Sequence, residues 1–366
     1  MMQFGQIVLV HHLTESPIFL GLLGLSSGIP AILLNHLGGV YADRWDKRRL
    51  IVFTQTITAL LLVCLAILTW LGMVNAWHCL FIAFLVGSVE AFDQSARRAL
   101  FPHLVPRSAL VSAVALNSAI WSGTRIIAPA AAGIIIAVFN PAFAFFAASF
   151  GFALMAYFIY SLKPIPSVAA TRVSPAKEML EGFNFIRRNS PFPFLIVMTF
   201  FNSFFGISYI YLMPVFAIDI LKIGTIGQGW LLSISGVGSL VTTVWLGTAK
   251  TINNKSVLVI GGGIGFGLSI AAFGLTSRFL PSYGIALLLM LVIGLTSSTY
   301  MISIQSSLQL LVPDNMRGRV MGFFGMSWNI LPIGGMQVGT LASFITAPYA
   351  VATGGFAVAA FTSLAF

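Results

Sequence analysis

The sequence predicts an all-α protein that crosses a membrane many times, and three observations carry that expectation. Of its 366 residues, 58% are hydrophobic and only 8% are charged, with a mean hydropathy of +0.97. A soluble domain carries about a quarter charged residues. The apolar residues fall in runs of about 20, the length that crosses a bilayer as a helix, parted by short polar turns. The cations fall on one side of those runs. Of 19 Lys and Arg, 16 share one face: Arg44, Lys47, Arg48, Arg49, Arg97, Arg98, Arg107, Lys163, Arg172, Lys177, Arg187, Arg188, Lys250, Lys255, Arg317 and Arg319. Lys222 and Arg278 fall opposite, and Arg125 falls inside a span. Such a bias places the basic face in the cytoplasm. The net charge of +10 therefore meets anionic lipid rather than nucleic acid.

Taken in order, the first apolar segment runs from about Gln3 to Leu13 and is too short to span. A turn from His11 to Pro17 follows, and no basic region precedes the segment to mark a cleavable signal peptide. Helix two is expected from Pro17 to Val40. The polar turn Gly39 to Arg49 joins it to helix three, Leu50 to Leu71. An uncharged turn, Gly72 to Trp77, leads to helix four, His78 to Ala96. Helix five covers Ser112 to Val138, and Asn140-Pro141 opens helix six, Ala142 to Leu162.

Residues 163–193 form the one long polar stretch. Within it Ser174-Pro175 marks a helix start. Met179, Leu180, Phe183 and Ile186 then recur at helical spacing against Lys177, Glu178, Glu181, Arg187 and Arg188, the pattern of an amphipathic helix on a membrane surface. Helix seven is expected from Phe194 to Leu221 with a kink at Pro214, helix eight from Gln228 to Ala249, and helix nine from Val257 to Ser277. Helix ten covers Ser282 to Leu308, helix eleven Arg319 to Thr346, and a last span Tyr349 to Phe366 ends without a polar tail. Leu104-Val105-Pro106 matches Leu311-Val312-Pro313, and Trp121 and Trp328 follow at the same offset, an internal repeat that points to two related halves.

Gly39, Asp43-Arg44 and Lys47-Arg48-Arg49, placed between the second and third spans, resemble the signature loop of the major facilitator superfamily. Asp46 stands where that family usually has Gly. Gly123 to Pro129 and Ala132-Gly133 resemble the exporter motif of helix five, with Ala at two of its glycines. The resemblance is nearest to the siderophore- and macrolide-exporter branch (transmembrane secretion effectors). It implies a first half over 1–162, a cytoplasmic linker over 163–193 and a second half over 194–366, with both termini clipped and the first helix incomplete. It also implies a conformational latch built from Gly39, Asp43, Arg44, Arg48 and Arg49. Asp43 is expected to reach the start of helix eleven near Arg319 across the two halves, with Arg97 or Arg98 as second partner.

Within the spans, Arg125 is the most informative residue, because a charge at mid-membrane depth costs about 2.5–3.5 kcal/mol on the insertion scale. It either contacts substrate or a coupling ion, or is locked to carbonyls of a neighbouring helix. Glu90 and Asp93 lie three residues apart near the inner end of helix four. Asp93 is expected to pair with Arg97, and the deeper Glu90 to shuttle a proton. Asn202, Tyr209, Gln305, Trp328 and Asn329 are candidates for a substrate cavity, and His36 with Asn35 reads as packing. Gly261 to Gly267 lies inside an apolar span, so it serves helix packing rather than a nucleotide. Cys64 and Cys79 read as small packing residues. There is no nucleotide loop, metal-ligand spacing or nucleophile–base pair, so neither a cofactor nor enzymatic chemistry is expected.

The resemblance therefore implies a monomeric proton-coupled exporter of a small amphipathic molecule, in the bacterial cytoplasmic membrane. A proton-linked importer of a small solute, or a truncated homologue that does not transport, are the other readings.

Overall fold

The computed structural model describes residues 1–101, 104, 110–162, 175–248 and 255–364. The side chains of His36, Asp43, Arg44, Arg98, Lys177, Glu178 and Lys255 lie outside the described residues, as do Arg107, Lys163, Arg172 and Lys250.

The first six helices are α1 (Met2–Thr14), α2 (Pro17–Arg44), α3 (Lys47–Trp70), α4 (Ala76–Leu100), α5 (Leu110–Val138) and α6 (Pro141–Ser161). Their ends follow from local chemistry. Asn75 caps α4 by accepting from the His78 amide at 2.9 Å, and the His78 ring accepts from the Asn75 amide at 3.2 Å. Asn140 accepts from the Ala142 amide at 2.8 Å, and Pro141 stands at the first position of α6, where its missing N–H costs nothing. α7 (Pro175–Arg188) follows, then α8 (Phe192–Phe201), α9 (Gly224–Thr248), α10 (Lys255–Phe279), α11 (Tyr283–Leu311), α12 (Asp314–Met326), α13 (Leu331–Ile345) and α14 (Ala347–Ser363). Among the described residues, nine helices are long and apolar enough to cross a membrane.

Helices α1 to α6 pack on one another, chiefly α2 on α4 and α3 on both α4 and α6. Helices α8 to α14 do the same, with α10 on α14 and α9 on α11. The two groups meet along α2–α13 and α5–α9. Phe145, Phe216, Phe266, Phe273 and Tyr300 are fully buried, whereas Phe53, Leu60, Phe150 and Tyr157 stand outward, as lipid-facing residues do. The glycines of α10 do serve packing: Gly262 sits against Tyr300 of α11, and Gly267 against Gly355 and Ala359 of α14. Cys64 is exposed and Cys79 buried, both as free thiols.

Three elements depart from expectation. The charged stretch Gly39 to Arg49 is helix on both sides, and only Trp45 and Asp46 break it. Asp46 accounts for this, since its carboxylate accepts from the Arg48 amide at 2.9 Å and the Arg49 amide at 3.4 Å, so that α3 starts at Lys47. An N-capping carboxylate thus occupies the place where the signature loop has Gly.

The seventh span leaves the α form at Asn202, well before Pro214. It passes through a wide π-type turn over Asn202–Gly206, a tight turn over Ile207–Leu212 and a second wide turn over Val215–Ile220. The carbonyls of Phe204 and Phe205 lie where a Cβ on Gly334 of α13 or Gly354 of α14 would fall, so the distorted backbone is held by helices that approach it closely. The eleventh span begins at Asp314 rather than Arg319 and is broken by a tight turn over Ser327–Ile330.

Candidate functional site

The seam between the halves is built of small residues and bare backbone. A Cβ on Gly229 of α9 would lie 2.6 Å from the Pro129 carbonyl of α5, and one on Gly21 of α2 would lie 2.8 Å from Cα of Met336 on α13. Four described hydrogen bonds cross it. Ser233 donates to the Ile126 carbonyl at 2.5 Å, Thr225 to the Gly133 carbonyl at 3.2 Å and Gln3 Nε2 to the Tyr211 hydroxyl at 3.4 Å, while His11 Nε2 stands 3.2 Å from Asp219 Oδ1. These contacts run from mid-depth to the face that carries Glu15, Asn75 and Asn140.

The basic face is built differently. Arg97 Nε binds Asp93 at 2.5 Å along α4. Asp93 is buried and also accepts from Thr54 Oγ1 at 2.9 Å and Gln55 Nε2 at 2.8 Å, both on α3. Arg49 lies 3.8 Å from Asp46, and Arg48 stands 5.4 Å over the Tyr160 ring of α6. In the second half Arg317 binds Asp314 at 2.6 Å. Arg319 binds Glu181 of α7 at 2.9 Å, and Gly182 packs against Arg319 and Phe323, so α7 is docked on α12. Arg97, an expected second partner of Asp43, thus holds the Asp93 carboxylate, and the Asp43 side chain lies outside the described residues. Ile186 of α7 is buried, and Met179, Leu180 and Phe183 are exposed.

Between these two faces the structure gathers ionisable and aromatic groups from both halves. Glu90 of α4 has an accessible side chain. Its charge acts on the Tyr211 hydroxyl, the same hydroxyl that accepts from Gln3. Arg125 of α5 is likewise accessible, and its charge acts on the hydroxyls of Tyr209 and Tyr300 in the second half. The first half thus supplies both charges, and Tyr209, Tyr211 and Tyr300 of the second half are buried.

The remaining candidates divide. Trp328 and Asn329 lie in the break of the eleventh span, which adjoins both α2 and the wide turn at Asn202. Asn202 itself is 1% exposed, and both its amide atoms lack a partner, as does the hydroxyl of Ser203. Tyr209 is buried beside Phe273, and Gln305 is half-buried on α11. Sequence reasoning did not single out Gln3, nor the pairing of His11 with Asp219. Asp219 offered a signal, as one of only nine carboxylates in the chain and one set in an apolar run. Among the described residues, no group of three His, Cys, Asp or Glu is placed to hold a metal ion.

Two bundles of membrane-crossing helices, meeting at a seam with charges at mid-depth, define a polytopic membrane transporter. The family model described as transmembrane secretion effector matches residues 1–366, and the chain belongs to that family of the major facilitator superfamily. It is 25% identical over 339 residues to the staphyloferrin A transporter of Staphylococcus aureus, covering 90% of this chain and 82% of that one. It is also 25% identical over 341 residues to macrolide efflux protein A of Streptococcus pyogenes, covering 90% and 82%. Among solved structures it resembles a point mutant of the nucleoside transporter NupG, with a TM-score of 0.74 at 16% identity, covering 99% of this chain and 96% of that one. At that identity the likeness speaks for the fold.

Proposed function

We propose that this transporter exports a small amphipathic molecule from the bacterial cytoplasm, driven by protons moving inward, through rocking of the two halves about the seam. The observation that carries the reading is that Glu90 and Arg125, two ionisable groups set within spans of the first half, both have accessible side chains. Ionisable groups inside a span are costly and mark substrate or proton paths. Site groups shared between two halves change their contacts whenever the halves move. The breaks at Asn202 and Ser327 lie beside this space, as discontinuous helices do at transporter sites. The cation bias supports a cytoplasmic basic face and a cytoplasmic α7, and the efflux relative supports export. In this orientation the Glu15 face, where the halves touch through the seam hydrogen bonds, lies outside.

In inverted membrane vesicles energised to an acidic interior, a macrolide probe is expected to be taken up while the interior pH rises. Arg125→Ala and Glu90→Gln should each reduce that uptake at least tenfold with the protein still inserted. Arg125→Lys should restore part of it, since Lys keeps the charge and lacks the guanidinium fork. Full uptake by Arg125→Leu would remove Arg125 from the site. Probe movement out of the inverted vesicles would favour import.

A further inference from the structure

The seam ends, at the face carrying Glu15, in a contact the central site does not use. His11 of α1 has a side chain 3% exposed, and its Nε2 stands 3.2 Å from Oδ1 of Asp219, in the wide turn that closes the seventh span. Asp219 is 48% exposed. Among the described residues this is the one ion pair that joins the two halves. Beside it opens a groove of about 670 Å³, lined from the first half by Leu9, His12, Ile136 and Asn140, and from the second by Ile218 and Thr225.

We propose that His11 and Asp219 form a proton-operated latch on the outer gate, in which external acid protonates His11 and holds the halves together at that face. The latch rests on the proposed orientation and not on the direction of transport. Histidine is the side chain that exchanges its charge between about pH 5 and 8. A neutral imidazole with its hydrogen on Nε2 donates to the Asp219 carboxylate. The imidazolium adds a full charge, and charge-assisted hydrogen bonds are roughly twice as strong as neutral ones. The contact exists only where the halves meet, so whatever strengthens it raises the closed population.

The latch is not a permanent lock. Nδ1 of His11 is buried without a partner, so the closed contact carries a cost in either charge state. The other charged or titratable groups at this end are His12 and Glu15 on α1, His78 at the start of α4, Lys222 before α9 and Arg278 at the end of α10. Of these His12 is the nearest competitor, since His11, Asp219 and Glu15 all act on it electrostatically.

The test reads gate opening rather than transport. Ser233, buried in the seam between α9 and α5, is replaced by Cys in a background lacking Cys64 and Cys79. Intact cells are then treated with a membrane-impermeant thiol reagent at external pH 5.5 and 7.5. Because the thiolate is the reacting species and is itself depleted at low pH, each rate is divided by that of a reference Cys at the exposed position of Trp77, measured at the same pH. This ratio is expected to be at least threefold lower at pH 5.5 than at pH 7.5. Asp219→Asn and His11→Gln should each bring the two ratios within a factor of 1.5, at or above the parent's pH 7.5 ratio. His12→Gln should leave the pH response in place. A parent with equal ratios at both pH values or no labelling at all, an Asp219→Asn variant that keeps the threefold response, or a response lost only with His12→Gln would overturn the latch. An importer with the same gate would pass this test, so failure here and failure of the export reading are separable.

Discussion

The two ends of the molecule solve the same problem in opposite ways. Toward the Glu15 face the halves touch through glycines, bare carbonyls and one His–Asp pair. Toward the basic face, where most of the charge sits, each described ion pair closes within one half or on α7: Asp93–Arg97, Asp46–Arg49, Asp314–Arg317 and Glu181–Arg319. If the halves rock as proposed, the difference teaches how a moving seam handles charge. A partner lost from a buried ion pair leaves an uncompensated ion, a penalty of about 3–5 kcal/mol. Pairs confined to one half pass through every rearrangement intact. Shape contacts between small residues can part and re-form without stranding a charge.

The largest expected effect comes from breaking the shape side of that contrast. Gly229→Leu puts a branched side chain where even a Cβ would meet the Pro129 carbonyl at 2.6 Å. The halves should then fail to close at the Glu15 face. Macrolide uptake into inverted vesicles is expected to fall to background, and outside labelling of a seam Cys should become constitutive. Gly151→Leu, at a glycine of α6 with open space around it, should leave both readings unchanged.

A smaller effect is expected from the charge side. Asp93→Ala removes the common acceptor of Thr54, Gln55 and Arg97. Because Arg97 is 38% exposed and keeps some solvent, the loss should be about 2–3 kcal/mol, below the full cost of a buried pair. Unfolding of the detergent-solubilised protein should show it as a lowered midpoint, with the seam labelling unaffected. If the seam opens as well, the pair is not private to the first half. The smallest effect should come from Asp46→Ala. It removes the cap of α3, worth about 1 kcal/mol, and should register in the same unfolding measurement. Asp46→Asn keeps the acceptor and should recover most of that loss.

Much of the architecture is legible in the sequence. The spans follow from apolar run length, because a bilayer constrains it directly, and α7 follows from the amphipathic spacing of its residues. The site is legible only in part. Glu90 and Arg125 stand out because charge inside a span is rare, but nothing in their neighbours in sequence names Tyr211, Tyr209 or Tyr300 as the groups they act on. The break at Asn202 is likewise invisible there. Proline marks Pro214 as a helix breaker in any context, whereas the wide turn at Asn202 exists because Gly334 and Gly354 of distant helices let their backbones reach the carbonyls of Phe204 and Phe205.

By itself, then, the sequence determined that this chain lies in a membrane and where its apolar spans fall, since these depend on local composition and on a solvent that is the same everywhere along the span. Tertiary structure alone decided what crosses the seam. His11 and Asp219 are 208 positions apart, and Gln3 and Tyr211 are separated by the same distance along the chain. Each of these pairs joins α1 to the seventh span across the seam, and no local rule of composition or spacing encodes a contact that only the meeting of the halves creates.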